Sequence, residues 1–284
     1  PSNINITLFG KKDQVITELQ RHNFKPERFS IIDCADVINM DEHPTKAFRS
    51  KQNSSIAIGF EYLAKGEIDG FASAGNTGAM FVGGVYSVKS IPGVLRPPLC
   101  TIIPREDNGV TVLLDVGANA DCKPDVLYQF GMLGALFSRH VCGIKSPNVS
   151  LLNLGEERSK GNMLTQAAHI LMENNPDYNF VGNCEGRDIF SSKIDVIVCD
   201  GFTGNIVLKE AEGIYAIMKK RGLLDSFFKR LNYEDYGGTP ILGLNKPVII
   251  GHGISNEIAI KNMIILTKNV IEADLTNKIK KNIS

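Results

Sequence analysis

The chain has 284 residues, 43% hydrophobic and 22% charged, which is enough to bury a large core. Its 31 Lys and Arg balance 31 Asp and Glu. That balance gives no case for a nucleic acid partner, and no apolar run approaches the roughly 18 to 20 residues of a membrane-spanning helix.

Short apolar runs alternate with helical patterns along the chain. The strand-like "NINITLFG" leads into a helical pattern over 11–22, and "FSIIDCAD" follows. "IDGFASAG" leads into a helix expected over 77–88. "LCTIIP" and "VTVLLDVGAN" stand close enough to pair as a hairpin. "NVSLLNLG" precedes the helical "KGNMLTQAAHILMEN". "NFVGNCEG" and "IDVIVCDG" come next, then a helix over 204–221. "KPVIIGHG" leads into a last helix over 255–272. Runs of four to six Val, Ile and Leu suit strands covered on both faces, and their alternation with helices predicts a mainly parallel α/β sheet. No linker or repeat divides the chain, so residues 1–284 are read as one α/β domain. The six cysteines, Cys34, Cys100, Cys122, Cys142, Cys184 and Cys199, form no Cys-x-x-Cys pair. They are expected reduced and buried in a cytoplasmic protein.

Strand after strand ends in glycine with small polar residues. The corners are Ser73-Ala-Gly75-Asn76-Thr77-Gly78, Asp115 to Asp121 with Asn119, Asn153 to Glu157 with Glu156, Glu185-Gly-Arg187-Asp188, Asp200 to Asn205 with Thr203 and Gly204, and Gly251-His252-Gly253-Ile254-Ser255-Asn256. In an open parallel sheet, ligands bind beyond the carboxyl ends of the strands. Glycine lets a ligand approach the backbone, and helix N-termini favour anions such as phosphate. Any single corner also suits an ordinary cap. Six of them, expected along one sheet edge, point to an anion-binding cleft. There is no G-x-x-x-x-G-K-S/T loop and no G-x-G-x-x-G fingerprint, so neither ATP nor a nicotinamide cofactor is indicated. Nor is there zinc-spaced histidine. Asp115, Asp121, Glu156 and Asp200 suit solvated or capping roles better than a metal site. No cofactor and no metal are expected.

The phrases "SAGNTGA", "LLDVGANAD", "NLGEERSKG", "CEGRDI", "DVIVCDGFTGNIVLK", "DYGGTPILGLNKPVII" and "HGISN", in this order, resemble the PlsX family of phosphate:acyl-acyl-carrier-protein acyltransferases. "DEHPTKAFRSKQNSSIAIG" fits the same family, and the resemblance covers roughly residues 40–270. It implies a three-layer α/β/α sandwich related to isopropylmalate dehydrogenase and phosphotransacetylase. It implies transfer of a fatty acyl group from acyl carrier protein to inorganic phosphate. It also implies a homodimer, with an acyl phosphate product consumed by a membrane glycerol-3-phosphate acyltransferase. Two departures stand out. The family's opening strand and Gly-rich loop are expected before residue 1, and the amphipathic segment before the "YGG" motif is short. That segment, 215–235, still sets Leu223, Leu224, Phe227, Phe228 and Leu231 beside five basic residues, which suits peripheral membrane contact, an acidic partner or plain core packing.

On this reading phosphate attacks the thioester directly and needs positioning more than deprotonation. Ser73, Gly75, Asn76, Thr77 and Gly78 would hold it, with Asp200, Thr203, Gly204 and Asn205 as the opposite wall and Asp115, Asn153, Glu156, Ser255 and Asn256 around it. Lys160 or Arg187 would offset its charge. Asn119 or Asn205 would donate to the oxyanion, and His252 is the candidate acid/base. His140 and His169 fall in helical patterns and read as packing or surface residues. The rivals are a phosphotransacetylase-like enzyme using acyl-coenzyme A, a dehydrogenase of the same fold group, and a non-catalytic binder of acyl ligands or carrier protein.

Overall fold

The computed structural model describes residues 4–283; Asn3, where the first expected strand begins, lies outside them. Strand β1 (Thr7–Gly10), helix α1 (Lys12–Arg21) and strand β2 (Ser30–Asp33) form a parallel unit with Thr7 opposite Ser30. Helices α2 (Pro44–Ser50) and α3 (Ser55–Lys65) follow. Ser54 caps α3 by accepting from the Ala57 N–H, and Gly66 ends it in the left-handed region at φ 77°. Strand β3 (Phe71–Ser73) leads into α4 (Thr77–Gly83), which widens into a π turn over Gly84–Val88.

Strands β4 (Cys100–Pro104) and β5 (Val110–Leu114) pair antiparallel, as their spacing predicts. Then come α5 (Pro124–His140), β6 (Asn148–Leu152), α6 (Met163–Glu173), β7 (Asn179–Cys184) and β8 (Val196–Val198). Helix α7 (Gly201–Lys220) is followed by one short turn, α8 (Ser226–Lys229). Strands β9 (Thr239–Pro240) and β10 (Val248–Ile250) and helices α9 (Glu257–Glu272) and α10 (Leu275–Ile283) complete the chain. Of the amphipathic segment expected over 215–235, only the α7 end and the α8 turn are α-helical. Leu223 and Leu224 precede α8, and Phe227 packs edge-on against Phe190.

The larger sheet has the order β4-β5-β8-β6-β7, parallel but for β4. A second sheet has the order β3-β10-β9, with β9 antiparallel. The two join where Leu99 lies antiparallel to Ile241. Between β10 and β5 the chain direction therefore reverses three times, at β10/β9, β9/β4 and β4/β5. Strands β3 and β10 consequently run opposite to β5, β8, β6 and β7. This corrects the expectation of a single edge with six corners. The corners after β3 and β10 leave one side, and the other four leave the opposite side. The antiparallel pair β4 and β9, short and apolar like its neighbours, causes the reversal.

Two apolar clusters cover the two faces, giving a three-layer α/β/α arrangement. One gathers α5, α6, α9 and α10 around Phe130, Leu133, Phe137, Met172, Leu266 and Ile279. The other gathers α2, α3 and α4 around Phe48, Phe60, Leu63 and Met80, and Phe60 meets Phe71 edge-on at 5.1 Å.

Candidate active site

The second of these faces carries a cleft of about 540 Å³. Strand β4 forms its floor from Leu99 to Pro104. Asn205, Leu208, Lys209, Ala211 and Glu212 of α7 form one wall. Gly237 to Thr239, Ile250 and the Gly251–Ser255 corner form the other, with Thr77, Val116, Leu231 and Tyr236. The cleft thus collects side chains from both sets of corners. Of the residues expected in the site, Thr77, Asn205, His252 and Ser255 line it.

The His252 Nδ1 accepts from the Ile254 N–H at 3.4 Å. Ser255 closes the turn by donating its hydroxyl to the His252 carbonyl at 2.6 Å. Asn205 is exposed and lies in the second turn of α7, past the cap, so it serves no N-terminal N–H.

Several expected ligands are instead committed to holding the backbone. Asp115 is fully buried. Its carboxylate accepts from the N–H groups of Leu99, Gly117, Ala118 and Asn119 and from the Asn119 amide, at 2.7 to 3.1 Å. The other Asn119 amide hydrogen goes to the Pro97 carbonyl at 3.0 Å. Both amide hydrogens are engaged, so Asn119 is not an oxyanion donor in this geometry and Asp115 is not a substrate ligand. Asn76 caps α4 through its oxygen and gives its amide to the carbonyls of Asn39, Met40 and Glu42. Asp200 caps α7 and also accepts the Thr203 hydroxyl at 3.0 Å, so neither side chain is free for phosphate. Gly204 is packed so closely that a Cβ there would collide with the Asp115 carbonyl. A Cβ on Gly78 would collide with Pro44. Ser73 accepts from the Gly75 N–H, and Asn256 caps α9 through Ile258 and Ala259.

Asn153, Glu156, Lys160 and Arg187 lie outside the cleft lining. Strands β6 and β8 are neighbours, so the loop carrying Lys160 emerges beside the Asp200 corner. Asn153 accepts from the Leu154 N–H and donates to the Lys160 carbonyl at 3.1 Å. The buried Asn183 ties the same loop to the Glu157 carbonyl at 3.0 Å and meets the buried His169 at 2.9 Å. Arg187 is mostly exposed and pairs with Glu185 at 3.0 Å and more loosely with Glu156 at 3.9 Å. Lys160 is exposed and has no carboxylate partner among the described residues. Burial pushes the thiols of Cys122, Cys142 and Cys184 up to about 12, and those of Cys100 and Cys199 higher than usual, so none is a nucleophile at neutral pH. No cluster of three His, Cys, Asp or Glu among the described residues could hold a metal ion.

The sequence reading missed the apolar half of the cleft. Leu99, Ile103, Val116, Leu208 and Tyr236 look like ordinary core residues in the sequence, and Leu231 reads there as part of the amphipathic segment. Two signals bear on it afterwards: the brevity of β9 and the unbroken apolar run of β4.

Fold and cleft together define an α/β enzyme of the phosphotransacetylase architecture. A EutD phosphotransacetylase from Staphylococcus aureus superposes with a TM-score of 0.67 over 95% of this chain and 87% of its own, at 17% identity. A branched-chain phosphotransacylase from Enterococcus faecalis gives 0.60 over 94% and 99%, at 12% identity. These likenesses establish the fold alone. The model of the fatty acid synthesis protein family matches residues 1–278. A phosphate acyltransferase from Halothermothrix orenii is 41% identical over 99% of this chain and 90% of its own length. One from Pelotomaculum thermopropionicum is 42% identical over 99% and 86%. The chain belongs to the fatty acid synthesis protein family and is an acyltransferase.

Proposed function

We propose that the chain transfers a fatty acyl group from acyl carrier protein to inorganic phosphate, releasing acyl phosphate for phospholipid synthesis. The observation that carries this reading is one cleft with a polar rim, Thr77, Asn205, His252 and Ser255, over an apolar floor along β4. A hydrophilic nucleophile and an apolar acyl chain need those two surfaces side by side. A phosphate oxygen attacks the thioester carbon. The tetrahedral oxyanion collapses, the carbon–sulfur bond breaks, and the carrier leaves as thiolate. A thiol of ordinary pKa near 8.5 is a good leaving group, so no strong acid is required. Asn205 donates to the oxyanion, and Lys160 on the neighbouring loop offsets the phosphate charge.

We further infer that two copies associate, and that the assembly touches the membrane only peripherally, near the glycerol-3-phosphate acyltransferase that consumes the product. The support is the exposed apolar face of Phe202, Ile206, Ile214 and Ile217 on α7, continued by Leu223. No helix among the described residues is long and apolar enough to cross a membrane.

Palmitoyl-acyl carrier protein and labelled phosphate should give a labelled, hydroxylamine-sensitive lipid. Labelling from acyl-coenzyme A but not from the carrier protein would replace this reading with the phosphotransacetylase-like one. Carrier binding without either reaction would favour a regulator.

A further inference from the structure

The β4 floor is long for a site that need only hold a thioester and a phosphate. Five residue steps separate Leu99 from Pro104, about 17 Å of strand. Every other residue on the cleft face, Leu99, Thr101 and Ile103, points to the same side, and only Thr101 is polar. The Leu99 end meets Val116 and Asn205. The Pro104 end meets a crossing segment, Leu231 to Tyr236, that follows α8.

That crossing segment is fastened to α9, where the Asn262 amide donates to the Glu234 carbonyl at 2.9 Å, and to the β4–β5 turn through Arg230. The Arg230 guanidinium donates to the carbonyls of Arg105, Asn108 and Gly109, at 2.6 to 3.0 Å, in the turn between β4 and β5. It also bonds the Tyr236 phenol, whose burial pushes it up to about 12. Three carbonyls bound by one fork fix its position closely. The stretch that carries it lies between glycines with positive φ, Gly222 at 70° and Gly237 at 77°.

We infer that the groove between β4 and α7 measures the acyl chain, with the carbonyl at the Asn205 end and the terminal methyl stopped by Leu231 and Tyr236, which Arg230 holds against the β4–β5 turn. This rests on the acyltransferase reading of the same cleft. Ile103, Leu231 and Tyr236 then determine specificity, and Arg230 is a positioning residue that touches no substrate atom. Lys209 and Glu212, paired at 2.7 Å, line the α7 side of the groove.

The test compares kcat/KM for sixteen-carbon and eight-carbon acyl-carrier donors. Ile103→Trp and Leu231→Trp fill the far end. Each should lower the long-to-short ratio about tenfold or more, because a pocket discriminates chain length by the methylenes it admits. Arg230→Ala should raise the relative use of an eighteen-carbon donor, and Arg230→Lys should restore only part of the stop. Val116→Phe, near Asn205, should depress both lengths together. An unchanged ratio in the folded Leu231→Trp protein would overturn the inference. So would the reverse pattern, in which Val116→Phe selectively rejects long chains while Leu231→Trp rejects both. Should Ile103→Trp fail to fold, the half-buried Leu231 still decides the matter. Failure of the function itself would show differently: the unaltered protein would make no acyl phosphate from either donor.

Discussion

The corners at Asn76 and Asn205 are written in nearly the same letters, Gly-Asn-Thr-Gly and Phe-Thr-Gly-Asn, and the fold uses them for opposite purposes. Asn76 is the helix cap of α4, and its amide pins three carbonyls of the 39–42 loop. In the second corner Asp200 takes the capping role, and Asn205 is left a turn inside α7 facing the cleft. The difference is one of register. A residue at the cap position is drawn into satisfying the helix's own N–H groups. A residue one turn later has no such duty and remains available to a ligand. Similar composition at two strand ends therefore says little about which amide does chemistry.

The largest expected effect lies beneath both corners. Asp115 accepts five hydrogen bonds with no exposed surface, and Gly204 rests on its carbonyl. Asp115→Ala strands five donors, three of them in buried bonds, a loss of about 3 kcal/mol or more, and the protein should lack a cooperative thermal transition or melt far below the parent. A normal melting curve for this variant would mean that the 115–119 loop is not the keystone described here.

Asn205→Ala comes next and sharpens the comparison most. Loss of an oxyanion donor should lower kcat by about a hundredfold to a thousandfold. An exposed side chain with no capping duty should move Tm by about 2 °C or less. Asn76→Ala should behave in the opposite way. Removing a cap and the amide contacts to three carbonyls costs about 2 kcal/mol, seen as a clear drop in Tm, while the folded fraction keeps most of its kcat. If Asn76→Ala instead abolished turnover in fully folded protein, the two corners would be catalytic equals.

Much of this architecture was legible in the sequence. The apolar runs marked the strands, and the helix expected from residue 77 does start at Thr77, while those expected from 160 and 204 start three residues away, at Met163 and Gly201. Asp200 read correctly as a cap. The direction of the strands was not legible. Strand β9 has two residues and carries no periodicity, yet it turns one group of strands against the other. A period-2 or run-length signal reports burial and not orientation. For the same reason the floor of the cleft was hidden, because Leu99 and Ile103 obey the same pattern whether they face a helix or a substrate. The engagement of Asn119 was also out of reach, since its partners Pro97 and Asp115 are set by tertiary structure.

A smaller contrast separates the two cations once considered for phosphate. Arg187 is already paired with Glu185 and Glu156, whereas Lys160 has no carboxylate partner among the described residues. A guanidinium neutralised by its own neighbours adds little to an incoming anion, and an unpaired ammonium adds more. Lys160→Ala should raise the KM for phosphate about tenfold, against about twofold for Arg187→Ala, as measured by phosphate titration at saturating acyl donor. The contrast should also respond to salt. Both cations are solvent-exposed, so raising ionic strength should weaken phosphate binding by the parent and much less by Lys160→Ala. Equal sensitivity of parent and variant would assign the phosphate to the N–H groups of the helix N-termini and their dipoles, and would move the charge partner elsewhere. The expected inequality would tie the β6 loop to the Asn205 corner as two sides of one anion site, which the adjacency of β6 and β8 allows.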